Sequence, residues 1–260
     1  MSAALSYTVE AFNTALASEN KIHDDTIAQR FGFTGGLVPG VEVFAYATHV
    51  PLVHFGRGWL DGGTLEMRLV KPVYDGRMAT VTGTVTGDKL TLSLTSDDVA
   101  CAEGEANLAA AVAVSAPQRH EPPQLAARPP ADESTLAVGT LLSTRPREIT
   151  ADVADRYLAD IREASPLYRT ERLIHPGLLL RQCNGALVEN VILPPWIHVG
   201  SRAHFLAAGR VGESIEARAR VIANYDRKGH RLVELDVVVL ADGRRALAHV
   251  THTAIYRLRS

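Results

Sequence analysis

Cysteine is scarce in this 260-residue chain: Cys101 and Cys183 stand alone, without CxxC spacing. Two cysteines cannot build a disulfide scaffold, so they read as buried or free thiols of a cytosolic protein. Long apolar runs are missing as well. No stretch reaches the roughly 18 uninterrupted apolar residues of a membrane-spanning helix. The opening MSAALSYTVEAFNTALA has neither a basic leader nor a long apolar core and does not read as a secretion signal, so a cytoplasmic location is expected. There is no excess of positive charge. Lys and Arg number 27 against 29 Asp and Glu, a formal net charge of −2, which argues against a general nucleic-acid binder. No HxxxH, HExxH or Cys/His cluster offers metal ligands. Gly32-Phe33-Thr34-Gly35-Gly36 lacks the preceding strand that a dinucleotide or phosphate loop needs. No metal and no cofactor is therefore expected.

What is present is an ordinary globular composition with an internal echo. Residues 116–134, APQRHEPPQLAARPPADES, carry five prolines and neither period 2 nor period 3.6, and read as an extended linker. They divide the chain into domains at 1–115 and 135–260, each close to the usual domain size. Before the linker, Val9–Ala17 and Asp24–Phe31 fit short helices. Leu37 to Val50 is apolar all round its helical wheel and should be a buried helix. Strands are predicted at Thr64–Val70, Arg77–Val85, Lys89–Thr95 and Val99–Leu108. After the linker the order repeats. Thr150 caps a helix over Ala151–Arg162, and Gly177–Val191 is a second buried helix. Strands follow at Ile197–Ala207, Ser214–Tyr225, Arg231–Leu240 and Arg245–Arg257, with hairpin turns at Asp226-Arg227-Lys228-Gly229 and Ala241-Asp242-Gly243. Long hairpin-linked strands around one apolar helix in each half make an α+β class.

Two short segments stand before the buried helices: Ser18-Glu19-Asn20-Lys21-Ile22-His23 and Glu163-Ala164-Ser165-Pro166-Leu167-Tyr168. With the run RLVKPVYDGRMATV they resemble the MaoC-like dehydratase/(R)-specific enoyl-CoA hydratase family of the hot dog fold. That family carries a G-D-x-N-P-[LI]-H loop before a central helix starting HG. Asn20 and His23 fall on its Asn and His, Ile22 on its apolar position, and Gly40 on the Gly of HG, with Pro39 replacing the His. In the second half His175 and Gly177 approximate HG with Pro176 inserted. The resemblance implies a double hot dog: two curved antiparallel sheets, each wrapped around a long central helix. It also implies an acyl-CoA or acyl-carrier thioester as partner, for a monomer or a homodimer. The family's catalytic Asp aligns with Ser18. Glu163 holds the acid position of the second half, and Tyr168 stands where its His would be.

Hydration of a 2-enoyl thioester needs a base for water, a proton for C2, and donors for the developing oxyanion. His23 suits the first task, with Asn20 holding the water or the ring. The amides near Gly36 to Gly40, at the positive end of a helix, suit the last. The Ser18 hydroxyl orients water at most. Asp24 and Asp25 belong at the next helix's N-terminus. Glu163 has two readings: a lone acid beside Tyr168 and Gly177, or a solvated helix-end glutamate paired with Arg162 or Arg169. His49, His54 and His204 read as satisfied interior or interface residues. His249 and His252 should face opposite sides of one strand. Thioester hydrolysis, or acyl-thioester or small-ligand binding without chemistry, are the alternatives to a lyase.

Overall fold

A computed structural model of the protein describes residues 5–110 and 112–259. Residues 1–4, part of the stretch read for a leader, lie outside it. The first element corrects the sequence reading. Val9–Ala17 is not a helix: β1 runs Leu5–Glu10, and turns follow it. Its buried residues, Tyr7 and Val9, alternate with exposed ones, the period of a half-buried strand. It pairs antiparallel with β3 (Met78–Thr86).

In chain order the remaining elements of the first half are α1 (Asp25–Arg30), α2 (Gly40–Phe55), β2 (Gly63–Leu69), β3, β4 (Lys89–Ser96) and β5 (Val99–Leu108). Between β5 and the next strand the described chain has one turn of 3-10 helix, at Leu125–Ala127. The second half contributes β6 (Leu141–Ser143), β7 (Arg147–Glu148), α3 (Ala151–Asp160), α4 (Leu167–Thr170), α5 (Pro176–Val188), β8 (Ile197–Phe205), β9 (Ser214–Arg227), β10 (His230–Ala241) and β11 (Arg245–Arg257). All pairings between these strands are antiparallel, in the order β1-β3-β4-β5-β2-β8-β11-β10-β9-β6, with β7 also on β9. The order reads alike from both ends. β2 and β8 meet at its centre from Thr64↔His204 to Arg68↔Gly200, so one sheet is continuous across the two halves.

Helices α2 and α5 lie against each other and against this sheet. Almost every side chain of α2 from Val41 to Leu52 is buried, which explains its lack of a polar face. It runs through Pro51 and stops at Gly56, whose φ of 76° suits glycine. Glu42 is the buried exception. It accepts from Tyr157 Oη of α3 (2.8 Å), Arg181 Nε of α5 (2.7 Å) and Thr14 Oγ1 (3.1 Å), so its charge ties α2 to the other half.

Candidate active site

A cavity of about 380 Å³ opens between the halves, with Asn20, His23 and Glu42 on one wall and Arg181, Asn184 and Trp196 on the other. A constriction of about 20 Å³ shares Asn20, His23, Asn184 and Trp196 with it. Beyond lies an apolar pocket of about 230 Å³, bounded by Phe33, Val43, Leu69 and Ile255, which shares Gly40 and His198 with the constriction. The lining residues thus trace one path through a neck.

His23 and Asn20 come together at this neck. Asn20 caps the single 3-10 turn Lys21–His23. Its Oδ1 accepts from Ile22 N (3.3 Å) and Trp196 N (3.2 Å); its Nδ2 donates to Trp196 O (2.9 Å) and lies 3.3 Å from His23 Nε2. Both donors and both lone pairs of the amide are used, and the loop before β8 is clamped to the motif loop. His23 Nδ1 is 2.6 Å from Leu37 O, which only an N–H can satisfy, so Nδ1 carries the proton and Nε2 a lone pair. Burial lowers the His23 pKa, with the Leu37 carbonyl offsetting part of the shift. The ring is a neutral base.

The helix start is more selective than its sequence indicates. Gly36 N donates to Asp25 Oδ1 (2.7 Å), so this amide is already spent and Gly36 cannot serve the oxyanion role expected of it. Asp24 caps α1 through Ile27 N (3.1 Å), as expected. At α2, the amides of Gly40 and Val41 have no partner among the described residues. Gly40 lines the neck and Val41 the larger cavity. A Cβ on Gly40 would fall 2.8 Å from both His198 Nδ1 and His198 O, so only glycine allows this approach. Ser18 donates to Asn20 O (3.2 Å) and lines the large cavity, not the neck.

The second half is built the opposite way. α3 ends in a left-handed turn at Arg162 (φ 52°), which turns Glu163 inward. Glu163 is 6% exposed and pairs with neither Arg162 nor Arg169, so the solvated reading is wrong. Its carboxylate takes His49 Nδ1 (2.7 Å), Ser165 N (2.7 Å) and His175 Nε2 (3.4 Å). Burial works to raise its pKa, but the hydrogen bonds from His175 and His49 prevail and hold it well below the usual carboxylate range. His175 Nδ1 accepts from Gly177 N (3.0 Å), so α5's first amide is consumed. Tyr168 packs 4.6 Å from the His175 ring, its hydroxyl buried and without a partner. The acid and the imidazole of this half are therefore Glu163 and His175, sealed under Tyr7 stacked on His49.

Other histidines divide. His54 is exposed, against expectation, because α2's last turn emerges from the sheet. His204 Nε2 is buried with no partner. His249 bonds Asp236 (2.5 Å) while His252 is fully buried, on opposite faces of β11 as anticipated. Sequence reasoning missed Glu42, Arg181, Asn184, Trp196 and His198. The one local signal was Glu42, a lone carboxylate in the first turn of an apolar helix, where a buried charge demands partners.

No protein-family model matches the sequence, and no curated protein matches it. Solved structures do. A Chloroflexus aurantiacus protein described as a MaoC domain dehydratase superposes with a TM-score of 0.66 at 10% identity, covering 99% of this chain and 95% of its own. A conserved hypothetical protein of Mycobacterium tuberculosis with a double hotdog fold gives 0.60 at 12% identity, covering 96% of each chain. A MaoC-like dehydratase gives 0.55 at 12% identity, covering 98% of each. At such identities the likeness concerns fold: the chain has the double hot dog fold, and MaoC-like dehydratases are among its structural neighbours.

Proposed function

We propose that the chain is an acyl-thioester lyase that adds water to, or removes it from, a 2-enoyl/3-hydroxyacyl thioester of coenzyme A or a carrier protein. One observation carries this reading: a neutral imidazole, whose Nε2 lone pair meets only the long 3.3 Å contact from Asn20 Nδ2, and the start of a helix with two unpaired amides border connected cavities, Gly40 beside His23 at the neck and Val41 on the larger space. In the forward direction His23 Nε2 takes a proton from water as its oxygen bonds C3. The C2=C3 electrons move onto C2 and the thioester oxygen. Gly40 and Val41 N–H groups stabilise that oxygen. The imidazolium then returns the proton to C2, and His23 is neutral again. Asn20 holds the ring, and Glu42 with Arg181 shapes the wall beside it.

The second half supports the choice of site. Its helix start is capped by His175, which takes the Gly177 amide on Nδ1 and the Leu178 amide on its carbonyl, with Glu163 against the ring. Purified protein is mixed with crotonyl-CoA and longer enoyl-CoAs, following loss of the enoyl absorbance and release of thiol. Hydration that falls by about 10²–10⁴-fold in His23→Ala is expected. Thiol release in place of hydration selects a thioesterase, and binding without turnover selects a ligand-binding protein; either refutes the lyase.

A further inference from the structure

The proline-rich segment between the halves forms one lip of the larger cavity. Arg145 Nη2 holds this strap by Pro122 O (3.1 Å) and Pro123 O (2.7 Å), and Ile192 N donates to Pro129 O (2.8 Å). Between those anchors Leu125 and Arg128 line the cavity. Arg128 is fixed from its own side. Its Nε donates to Leu125 O (2.8 Å) and its Nη1 to Val188 O (2.5 Å), the last residue of α5, where helix carbonyls lack partners and a cation is favoured. The other terminal nitrogen, Nη2, reaches the first half and donates to Glu19 Oε2 (3.1 Å) and Oε1 (3.3 Å). Glu19 precedes Asn20 in the motif loop and lines the same cavity.

The two partners are unequal. The Arg128 side chain is 9% exposed and that of Glu19 is 77% exposed. A cation so enclosed needs a counter-charge, and among the described residues Glu19 is the one carboxylate that meets it. An exposed glutamate supplies that charge weakly, because water and side-chain entropy compete with the pair. The place its carboxylate fills is therefore open to solvent. Arg147 lines the same cavity and is itself exposed. Its Nη2 is held by buried Glu189 (3.0 Å), while its Nε and Nη1 have no partner among the described residues. The far end of the path differs. Beyond the neck the walls are almost wholly apolar, and Lys71 is their one formally charged residue.

We propose that Arg128 is the seat of a phosphate at the carrier end of the ligand, and that Glu19 occupies this seat in the free protein. The phosphate displaces Glu19 and accepts a charge-assisted hydrogen bond from Arg128 Nη2, with Arg147 as a second cation at the same mouth. The pantetheine arm then enters beside the strap, and the acyl tail passes the neck into the apolar pocket. The inference rests on the ligand being a thioester of coenzyme A or a carrier protein, not on the chemistry at His23. One anion is exchanged for another, so Glu19 is a competitor of the ligand and not a brace for it. Removing its charge strengthens binding.

The test is read without turnover. Calorimetry follows binding of CoA, 4′-phosphopantetheine and pantetheine to the wild type, Glu19→Gln, Arg128→Gln and the double variant. Glu19→Gln should bind CoA about three- to tenfold more tightly and pantetheine no differently. Arg128→Gln should bind CoA at least about tenfold more weakly, again sparing pantetheine, and in its background Glu19→Gln should gain nothing. The same changes with 4′-phosphopantetheine assign the seat to the phosphate that CoA and carrier proteins share; changes with CoA alone assign it to the nucleotide end of free CoA. Glu19→Gln alters an exposed side chain, so its result stands even if Arg128→Gln melts early. An affinity for CoA that Glu19→Gln lowers or leaves unchanged, an equal loss on pantetheine in Arg128→Gln, or a loss of CoA binding in Lys71→Gln with none in Arg128→Gln overturns the assignment. A wild type that binds no CoA overturns it together with the thioester reading. A wild type that binds CoA and hydrates no enoyl-CoA refutes the lyase alone.

Discussion

Asn20→Asp changes one atom and tests the site's central hydrogen bonds. The carbonyl contacts to Ile22 N and Trp196 N survive. The amide hydrogens aimed at Trp196 O (2.9 Å) and His23 Nε2 (3.3 Å) do not, and in their place a carboxylate oxygen faces two lone pairs. Each buried acceptor left without its donor costs about 1–3 kcal/mol, and the longer contact counts for less, so roughly 2–4 kcal/mol is lost near pH 8. For a chain of this size that lowers Tm by on the order of 5–15 °C. The pH dependence has a definite sign. In the wild type, burial lowers the folded His23 pKa, so the unfolded state binds the proton more readily and this group's contribution falls as pH drops below about 6.5. In the variant the carboxylate raises the His23 pKa above its unfolded value. That stabilisation is fully present below about 6.5 and is lost as pH rises through the folded value. The gap between the two proteins should therefore narrow as pH falls from about 8 to 5. Thermal melts across that range, with the His23 ring titrated by NMR, measure it. A gap that stays constant or widens, or a variant as stable as the wild type at high pH, would refute both the tautomer and the donor assignment.

Two further substitutions probe the buried charges. Glu163→Ala strands His49 Nδ1–H, Ser165 N–H and His175 Nε2–H, and should cost about 3–5 kcal/mol in urea unfolding near neutral pH. Because the folded Glu163 pKa is depressed, its contribution is present above the unfolded value of about 4.3 and fades below it, so wild-type and variant midpoints should converge in acid; parallel curves would contradict a hydrogen-bonded buried carboxylate. Arg181→Met leaves Glu42 with only Tyr157 and Thr14 and should cost a similar amount, about 3–5 kcal/mol. Adding Glu42→Gln should recover much of that loss, and additivity of the two changes would rule out the coupling.

The all-round apolar wheel of α2, the hairpin turns of the second half, and the Asn20–His23 spacing were legible because each is a local pattern. β1 was misread because Val9, Phe12 and Leu16 fall at i, i+3 and i+7, a helix period, whereas the strand period is carried by Tyr7 and Val9, and the pairing with β3 decides the matter. Glu163 was misjudged for a different reason. Its burial depends on His49, which is 114 residues away and on the other half's helix. His198 was invisible because parity along β8 breaks where its register with β11 shifts, at Thr253/Ala254; Gly200-Ser201 inside a strand was the one hint of it. Asn184 and Trp196 reach the neck only when the halves meet.

The palindromic strand order has a consequence for how such a protein varies. In a true homodimer every substitution occurs at both helix starts, so a residue that seals one seals its twin. Here the two starts are encoded separately. A packed carboxylate can brace one helix start while the other keeps its first amides unpaired, and a change at one need not be matched at the other.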